Sequence, residues 1–353
     1  MNGNALVVGG GIAGLAVARG LLRGGWDVQV RERSDGPPDT GGALGMWPPA
    51  MAALDHLGLG DQVRADAEER SGMSVARADG TVMARATVEP AHLVSRSALL
   101  DVLVDGVPAD RLRWGEPVAR ADVQGHGFDV VVGADGLHSL VRGAVFPEVP
   151  EPRPLGTVAF RGSVPGPMET VTETWGSGKL FGATPLDAER TNWFAAVRTE
   201  LLHGHEDLGH AATVRTLFAD WHPGVGHVLD LLPDHGVDRR RLYDLPPLSS
   251  YARGKHVLIG DAAHAMAPNL GRGACEALRD AAALATALTG QPTVERALAR
   301  YDRVRRRPSG RVVRASRLVN GVATARRYAR VRDSALSAAG ALLKARERVV
   351  RRP

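Results

Sequence analysis

Residues 5–33 read ALVVGGGIAGLAVARGLLRGGWDVQVRER. The apolar run at 5–8 predicts a buried strand, and the glycines behind it, Gly9, Gly11 and Gly14, are spaced G-x-G-x-x-G. An amphipathic run at 12–22 predicts a helix. A second strand at 27–30 ends at Glu32, eighteen positions beyond Gly14. Each residue type meets a demand of a phosphate cradle. Gly9 permits the tight turn, Gly11 removes the Cβ that would hold the backbone off a pyrophosphate, and Gly14 lets helix and strand pack closely. The free N–H groups and dipole of the helix start attract the phosphate, and Glu32 is placed to accept hydrogen bonds from a ribose diol. A G-x-G-x-x-G alone also occurs in ordinary glycine-rich βαβ turns. Strand, helix, second strand and terminal acid in register favour a dinucleotide site.

The chain has 353 residues, more than the roughly 250–300 at which a single core stops growing, so two lobes are expected. With 44% hydrophobic and 24% charged residues it has the composition of a folded globular protein and not of a disordered one. One cysteine, Cys275, excludes an internal disulfide framework and suits a reducing cytoplasm, the expected location. The N-terminus begins as a strand with no basic segment before it, and no segment resembles a membrane span, so neither a signal peptide nor integral membrane association is expected. The net charge of +5 hides an asymmetry: residues 294–353 hold 18 Arg or Lys against 4 Asp or Glu. A solvated helical face explains that surplus best. Nucleic-acid binding is not expected, since only Tyr301 and Tyr328 interleave the arginines.

Along the chain, Pro48 and Pro49 open a predicted helix at 50–57, and residues 71–90 predict a hairpin turning at Gly80. Ser95 precedes a helix that opens at Arg96. A third buried strand at 129–132 runs into GADGLHSLVR, which contains Asp135. Residues 151–247 read as an antiparallel sheet interrupted by one helix near 211–221. A fourth buried strand at 256–259 runs into GDAAHAMAPNLGRGA, with Asp261, Pro268, Gly271, Arg272 and Gly273, and a helix from 274. Beyond Pro292 the chain reads as helical and arginine-rich, broken at Pro308.

Three ordered motifs, GGGIAG…ER, GADGLHSLVR and GDAAHAMAPNLGRGA, together resemble the single-component FAD-dependent aromatic hydroxylases, nearest the salicylate-hydroxylase, urate-hydroxylase and tetracycline-inactivating relatives. The resemblance implies an α/β fold: a Rossmann-like FAD-binding domain interleaved with a smaller mixed-sheet substrate domain and a helical C-terminus. On this reading residues 1–70, 91–150 and 248–293 bind FAD, 71–90 and 151–247 form the substrate domain, and 294–353 are basic helices packed on the FAD lobe. It implies that Gly9, Gly11, Gly14 and Glu32 hold the ADP half of FAD, with Arg33 near the adenosine. Arg96 and Asp261 are expected along the pyrophosphate and ribityl chain, Asp135 in FAD and pyridine-nucleotide binding, and Pro268, Gly271 and Gly273 beside the isoalloxazine. The implied reaction is monooxygenation of an aromatic or polycyclic small molecule with O2 and transient NADH or NADPH, oxygen adding at the flavin C4a; monomer or homodimer are both open. The chain departs from the family pattern with Arg272 in place of glutamine, which would put positive charge at the flavin edge.

Other candidates are weighed on their residues. Arg161, in an apolar strand, is the best single candidate for a polar contact to substrate or cofactor, a structural ion pair being an equal alternative. Trp47, Phe160, Phe181, Trp193 and Phe194 are candidates to hold a large apolar or already enolic substrate, because no tyrosine stands where a base is needed. His264 reads as structural. His203, His205 and His210 lack a carboxylate or cysteine at ligand spacing, so no metal is expected. Cys275, in a helix's first turn, reads as a packing residue, although activation or covalent flavin attachment stays open. With no W-x-W-x-I-P run a halogenase is disfavoured; the remaining alternatives are a flavin reductase and a non-catalytic FAD-binding protein.

Overall fold

Valine-rich segments too apolar for a surface strand form the centre of a parallel sheet, where both faces are covered. In the computed structural model, which describes residues 3–38, 42–86, 89–168 and 170–350, this sheet has six strands. Their order is Ala252–Arg253, His256–Leu258, Val130–Gly133, Asn4–Val8, Asp27–Arg31 and Leu112–Arg113. All neighbours are parallel except the first pair. The strand order reverses direction between Asn4–Val8 and Val130–Gly133, the point at which open α/β sheets bind ligands beyond their carboxyl ends. The first helix, Ile12–Arg23, buries Ile12, Leu15, Ala16 and Val17 and packs on the helix Gly273–Gly290.

The chain divides into two units. The first comprises Met1–Ala67, Val94–Arg153 and Tyr243–Arg317; the second comprises Glu68–Leu93, Pro154–Leu242 and Leu318–Pro353. The second holds a seven-stranded sheet in the order Asp238–Asp244, Arg153–Pro165, Arg190–Arg198, Lys179–Pro185, Val171–Trp175, Met73–Arg77 and Val82–Ala86. It is mixed and not wholly antiparallel, because Val171–Trp175 lies parallel to Met73–Arg77. The hairpin Met73–Arg77 to Val82–Ala86 turns at Gly80, whose φ is +88°.

Three helical expectations are revised. The insertion predicted near 211–221 is two helices, His210–Phe218 and Pro223–Asp230, the second opened by Pro223 and capped by the His222 ring accepting from the Gly224 N–H. Pro308 does not break its helix, which runs continuously through Val294–Ala323. Tyr301, Arg305, Ser309 and Val313 on that helix are all buried, and such packing offsets a proline penalty of about 3 kcal/mol. The helix Ala329–Val350 packs on strand Val82–Ala86 of the second unit, where the nucleotide lobe was expected. Gly340 allows this approach: a Cβ there would lie 2.5 Å from the Met83 carbonyl oxygen.

Inside the first unit lies a buried ionic lattice. Asp280 and Glu276 have no solvent exposure. Asp280 accepts from the Gly260 N–H (2.9 Å), His264 Nε2 (2.5 Å) and Arg305 Nε (2.7 Å). Arg305 reaches Glu276 at 2.6 Å. Burial alone would raise the Asp280 pKa, but the His264 imidazolium and the Arg305 guanidinium hold it at about 2. Burial works against protonation of His264, and Asp280 overcomes it and raises that pKa.

Asp280→Asn should cost about 3–5 kcal/mol in denaturant unfolding, because it leaves Arg305 buried beside a neutral partner. The His264 contribution is full below its ordinary pKa of 6.5 and is lost as pH rises through its higher folded value. Melting midpoints measured against pH should therefore show an alkaline decline that His264→Asn flattens; an unchanged slope would remove His264 from the lattice.

Candidate functional site

The three motifs leave the carboxyl ends of three adjacent parallel strands, so their turns meet. Gly9 follows Asn4–Val8, Asp135 follows Val130–Gly133, and Gly260 with Asp261 follows His256–Leu258. Gly9 has φ +111° and lies so close to the second turn that a Cβ would sit 2.4 Å from the Ala134 carbonyl oxygen. A Cβ on Gly260 would lie 2.9 Å from that of Ala13, which places the third turn against the first helix. Arg142, buried, joins the second turn to the third by donating to the Leu137 (2.6 Å) and Ala262 (3.0 Å) carbonyls.

Within this cluster the glycines have different tasks. A Cβ on Gly14 would fall 1.9 Å from the Gly9 carbonyl oxygen, so that position is closed by the fold itself. A Cβ on Gly11 would meet nothing within 4 Å, so the space over the helix start is open, as a pyrophosphate requires. Glu32 directly follows the second strand and accepts from the N–H groups of Gly10 (2.7 Å) and Ser34 (3.0 Å), which aims its carboxylate at the glycine turn. Arg33 is exposed beside it. Asp135 accepts from Ser139 Oγ (2.5 Å) and the Val141 N–H (3.1 Å), shaping the start of the helix Leu140–Val145. Asp261 is exposed at the first turn of Asp261–His264. Arg96 opens the helix Arg96–Asp105, whose cap Ser95 accepts from the Ala98 N–H.

Past Asp261 the chain forms a 3-10 turn, Pro268–Leu270, then Gly271 in the left-handed region at φ +59°, then the helix Gly273–Gly290. Trp47 Nε1, Asn269 Oδ1 and Arg272 Nε are buried here with no hydrogen-bond partner among the described residues. Unsatisfied polar groups gathered at a helix N-terminus suit a polar, electron-accepting ring edge, and with the open Gly11 turn they fit FAD. Arg272 does not stand as a lone charge: it lies 3.3 Å from Glu276, which also pairs with Arg279 and Arg305. Burial pushes the Cys275 thiol pKa up, and its Sγ lies 3.1 Å from the Gly45 carbonyl, so the activated-thiol reading is set aside. His203 lies 3.6 Å from Glu206, His210 bonds the Val237 carbonyl, and no metal-holding group of three ligands occurs among the described residues.

In the second unit, strand alternation separates the proposed substrate aromatics. Phe160, Phe181 and Trp193 are core residues packed with Phe218 and Trp221 of the helical insertion, so they are not available to hold a substrate. Phe194 points to the opposite face. There the register lines up Arg161, Phe194, Gly182, Glu173 and Val75 as one cross-strand row. The Phe194 ring lies over Gly182, where a Cβ would come within 2.1 Å of it. Arg161 pairs with Asp238 at 2.7 Å. Glu173, which the sequence reading missed, accepts from the Trp175 indole N–H at 2.8 Å, and burial pushes its pKa up. The alternation of V-T-E-T-W, with its acid in phase with Trp175, was the available signal.

The fold and the converging turns are those of a dinucleotide-binding flavoprotein. Comparison makes the class definite. The FAD binding domain family matches residues 3–113 and 230–316. The chain is 33% identical over 325 residues to the aurachin C monooxygenase/isomerase of Stigmatella aurantiaca, covering 85% of this chain and 84% of that one. It is 28% identical to the FAD-dependent urate hydroxylase of Klebsiella pneumoniae, covering 84% of each. The crystal structure of Klebsiella pneumoniae HpxO complexed with FAD and uric acid superimposes with a TM-score of 0.84, at 25% identity over 95% of this chain and 92% of that one. The chain belongs to this FAD-binding family, and its activity is that of a flavin-dependent monooxygenase.

The contrast between two glycines is testable by flavin titration and melting. Gly11→Ala should leave apoprotein stability within about 0.5 kcal/mol yet weaken FAD binding by roughly tenfold or more, its methyl occupying phosphate space. Gly14→Ala should lower apoprotein stability itself. Equal effects of the two on apoprotein stability would count against the assigned tasks.

Proposed function

We propose that the chain hydroxylates or epoxidises an aromatic or polycyclic small molecule that carries a ring N–H or an enol, with O2 and with NADH or NADPH as reductant. Its Gly9–Gly14 turn, Glu32, Arg33, Arg96, Asp135 and Asp261 hold FAD, and Pro268, Gly271, Arg272 and Gly273 border the ring system. Bound and reduced, FAD supplies the oxygen chemistry. The observation that carries the substrate assignment is the mixed row on the second unit's sheet. Phe194 offers a ring to stack on, seated over the side-chain-free Gly182, while Glu173 offers an acceptor and Arg161 a donor. Relatives named for aurachin C and urate support an extended or heterocyclic substrate. Binding the substrate on this row desolvates it and fixes the ring that receives oxygen.

The test supplies the purified flavoprotein with NADH or NADPH and a panel of fused aromatics with ring N–H groups, following oxygen uptake and product mass. Substrate-dependent uptake with a product heavier by one oxygen atom is expected. Oxidation of the nucleotide to give peroxide alone would indicate a reductase, and an unreduced flavin a binding protein. Arg161→Met and Glu173→Gln should each raise KM roughly tenfold with little change in kcat, each removing a charge-assisted hydrogen bond. Because the Glu173 pKa is raised above 4.5, the accepting carboxylate is lost as pH falls through that higher value. The KM of the wild type should thus rise toward acid pH, and that of Glu173→Gln should not.

A further inference from the structure

The second unit contains a helical elbow whose backbone is pinned to the protein while several of its side chains face outward. Between the helices Val294–Ala323 and Ala329–Val350 the turn carries Arg326, Arg327 and Tyr328. The Arg198 Nε donates to the Thr324 carbonyl, and the Gly178 N–H donates to that of Ala325. Arg332, buried and stacked over Trp175, donates to the last carbonyls of the first helix, Val322 and Ala323. These bonds bring the start of the second helix against the end of the first.

Apolar side chains on this elbow nevertheless lie in solvent: Leu318 is 68% exposed, Tyr328 61% and Val331 66%. Val322, one turn beyond Leu318 on the same helix face, is exposed as well. Isolated exposed apolar residues are ordinary, but a group on a rigid elbow needs a reason. Around them stand Arg326, Arg327 and Arg330, all exposed. Arg326 has a surface acid, Glu200, at 3.7 Å. Within residues 318–342 the sequence contains one acid, Asp333, and its carboxylate is taken by Arg332.

We propose that this elbow docks the protein on an anionic lipid surface. Leu318, Val322, Tyr328 and Val331 enter the headgroup boundary, and Arg326, Arg327 and Arg330 pair with lipid phosphates. Charge complementarity selects this occupant. Residues 294–353 carry all of the basic surplus of a chain otherwise net acidic, and exposed apolar side chains interleaved with exposed arginines match an interfacial anchor. A tyrosine at the tip suits that boundary, with an apolar body and a polar end. No helix among the described residues is long and apolar enough to cross a membrane, so the attachment is peripheral.

Sedimentation of the FAD-loaded full chain with vesicles tests this. Binding is expected to vesicles of phosphatidylcholine with phosphatidylglycerol, and not to phosphatidylcholine alone, and high salt should release it. Arg326→Gln/Arg327→Gln/Arg330→Gln and, separately, Leu318→Asn/Tyr328→Ser/Val331→Asn should each bind roughly tenfold or more weakly while keeping bound flavin. In a Tyr328→Trp protein the added emission should shift to the blue on those vesicles and be quenched by brominated lipid. The proposal is overturned if the wild type stays in the supernatant, or if the apolar variant binds as well as the wild type, which would reduce the effect to attraction for any polyanion. Absence of quenching at Tyr328→Trp would overturn it equally.

Discussion

One carboxylate without access to water, Asp280, holds the nucleotide-binding unit in its working shape. Its oxygens receive the Gly260 N–H, the His264 ring and the Arg305 guanidinium, so a turn, a short helix and two long helices meet at a single charge. Removing such a group from water is costly, and only a full set of partners offsets it. The Gly260–Asp261 turn is thereby tied to the helix Gly273–Gly290, and the segment from Pro268 to Gly273 lies between the two. A loop built on a purely apolar support would lack that directional hydrogen bonding.

The second unit uses alternation where the first uses charge. Successive residues of a strand face opposite sides, so Trp193 and Phe194, adjacent in the chain, serve different purposes. One face is committed to packing under the helices His210–Phe218 and Pro223–Asp230. The other carries Arg161, Phe194 and Glu173 in register, the Phe194 ring lying over Gly182, which has no side chain to displace it. Arg161 satisfies its charge through Asp238, so its ion pair and its proposed contact to a substrate are compatible: one carboxylate does not exhaust five guanidinium donors.

The nucleotide turn was legible because its chemistry is local. Gly9, Gly11, Gly14 and Glu32 lie within a single βαβ stretch, and the strands on either side are apolar enough to predict. The aromatic cluster was not legible, since residue type alone does not distinguish a core aromatic from one lining a site. Asp280 was hidden for a related reason: it sits on the apolar stripe of Ala277, Ala281 and Leu284, where its partners, from His264 to Arg305, are distant in sequence. Pro308 misled because local propensity was outweighed by the buried face of its helix.

By itself, then, the chain determined a Rossmann-like nucleotide unit with a glycine turn at its first strand and the presence of a second sheet-built unit, since short-range spacing and strand periodicity carry those signals. Only the tertiary structure decided which aromatics are core, which acid anchors the Gly260 turn, and that the basic C-terminal elbow presents bare apolar side chains. Those properties depend on what lies across the fold from each residue, and burial and pairing are relations between distant segments that no local pattern encodes.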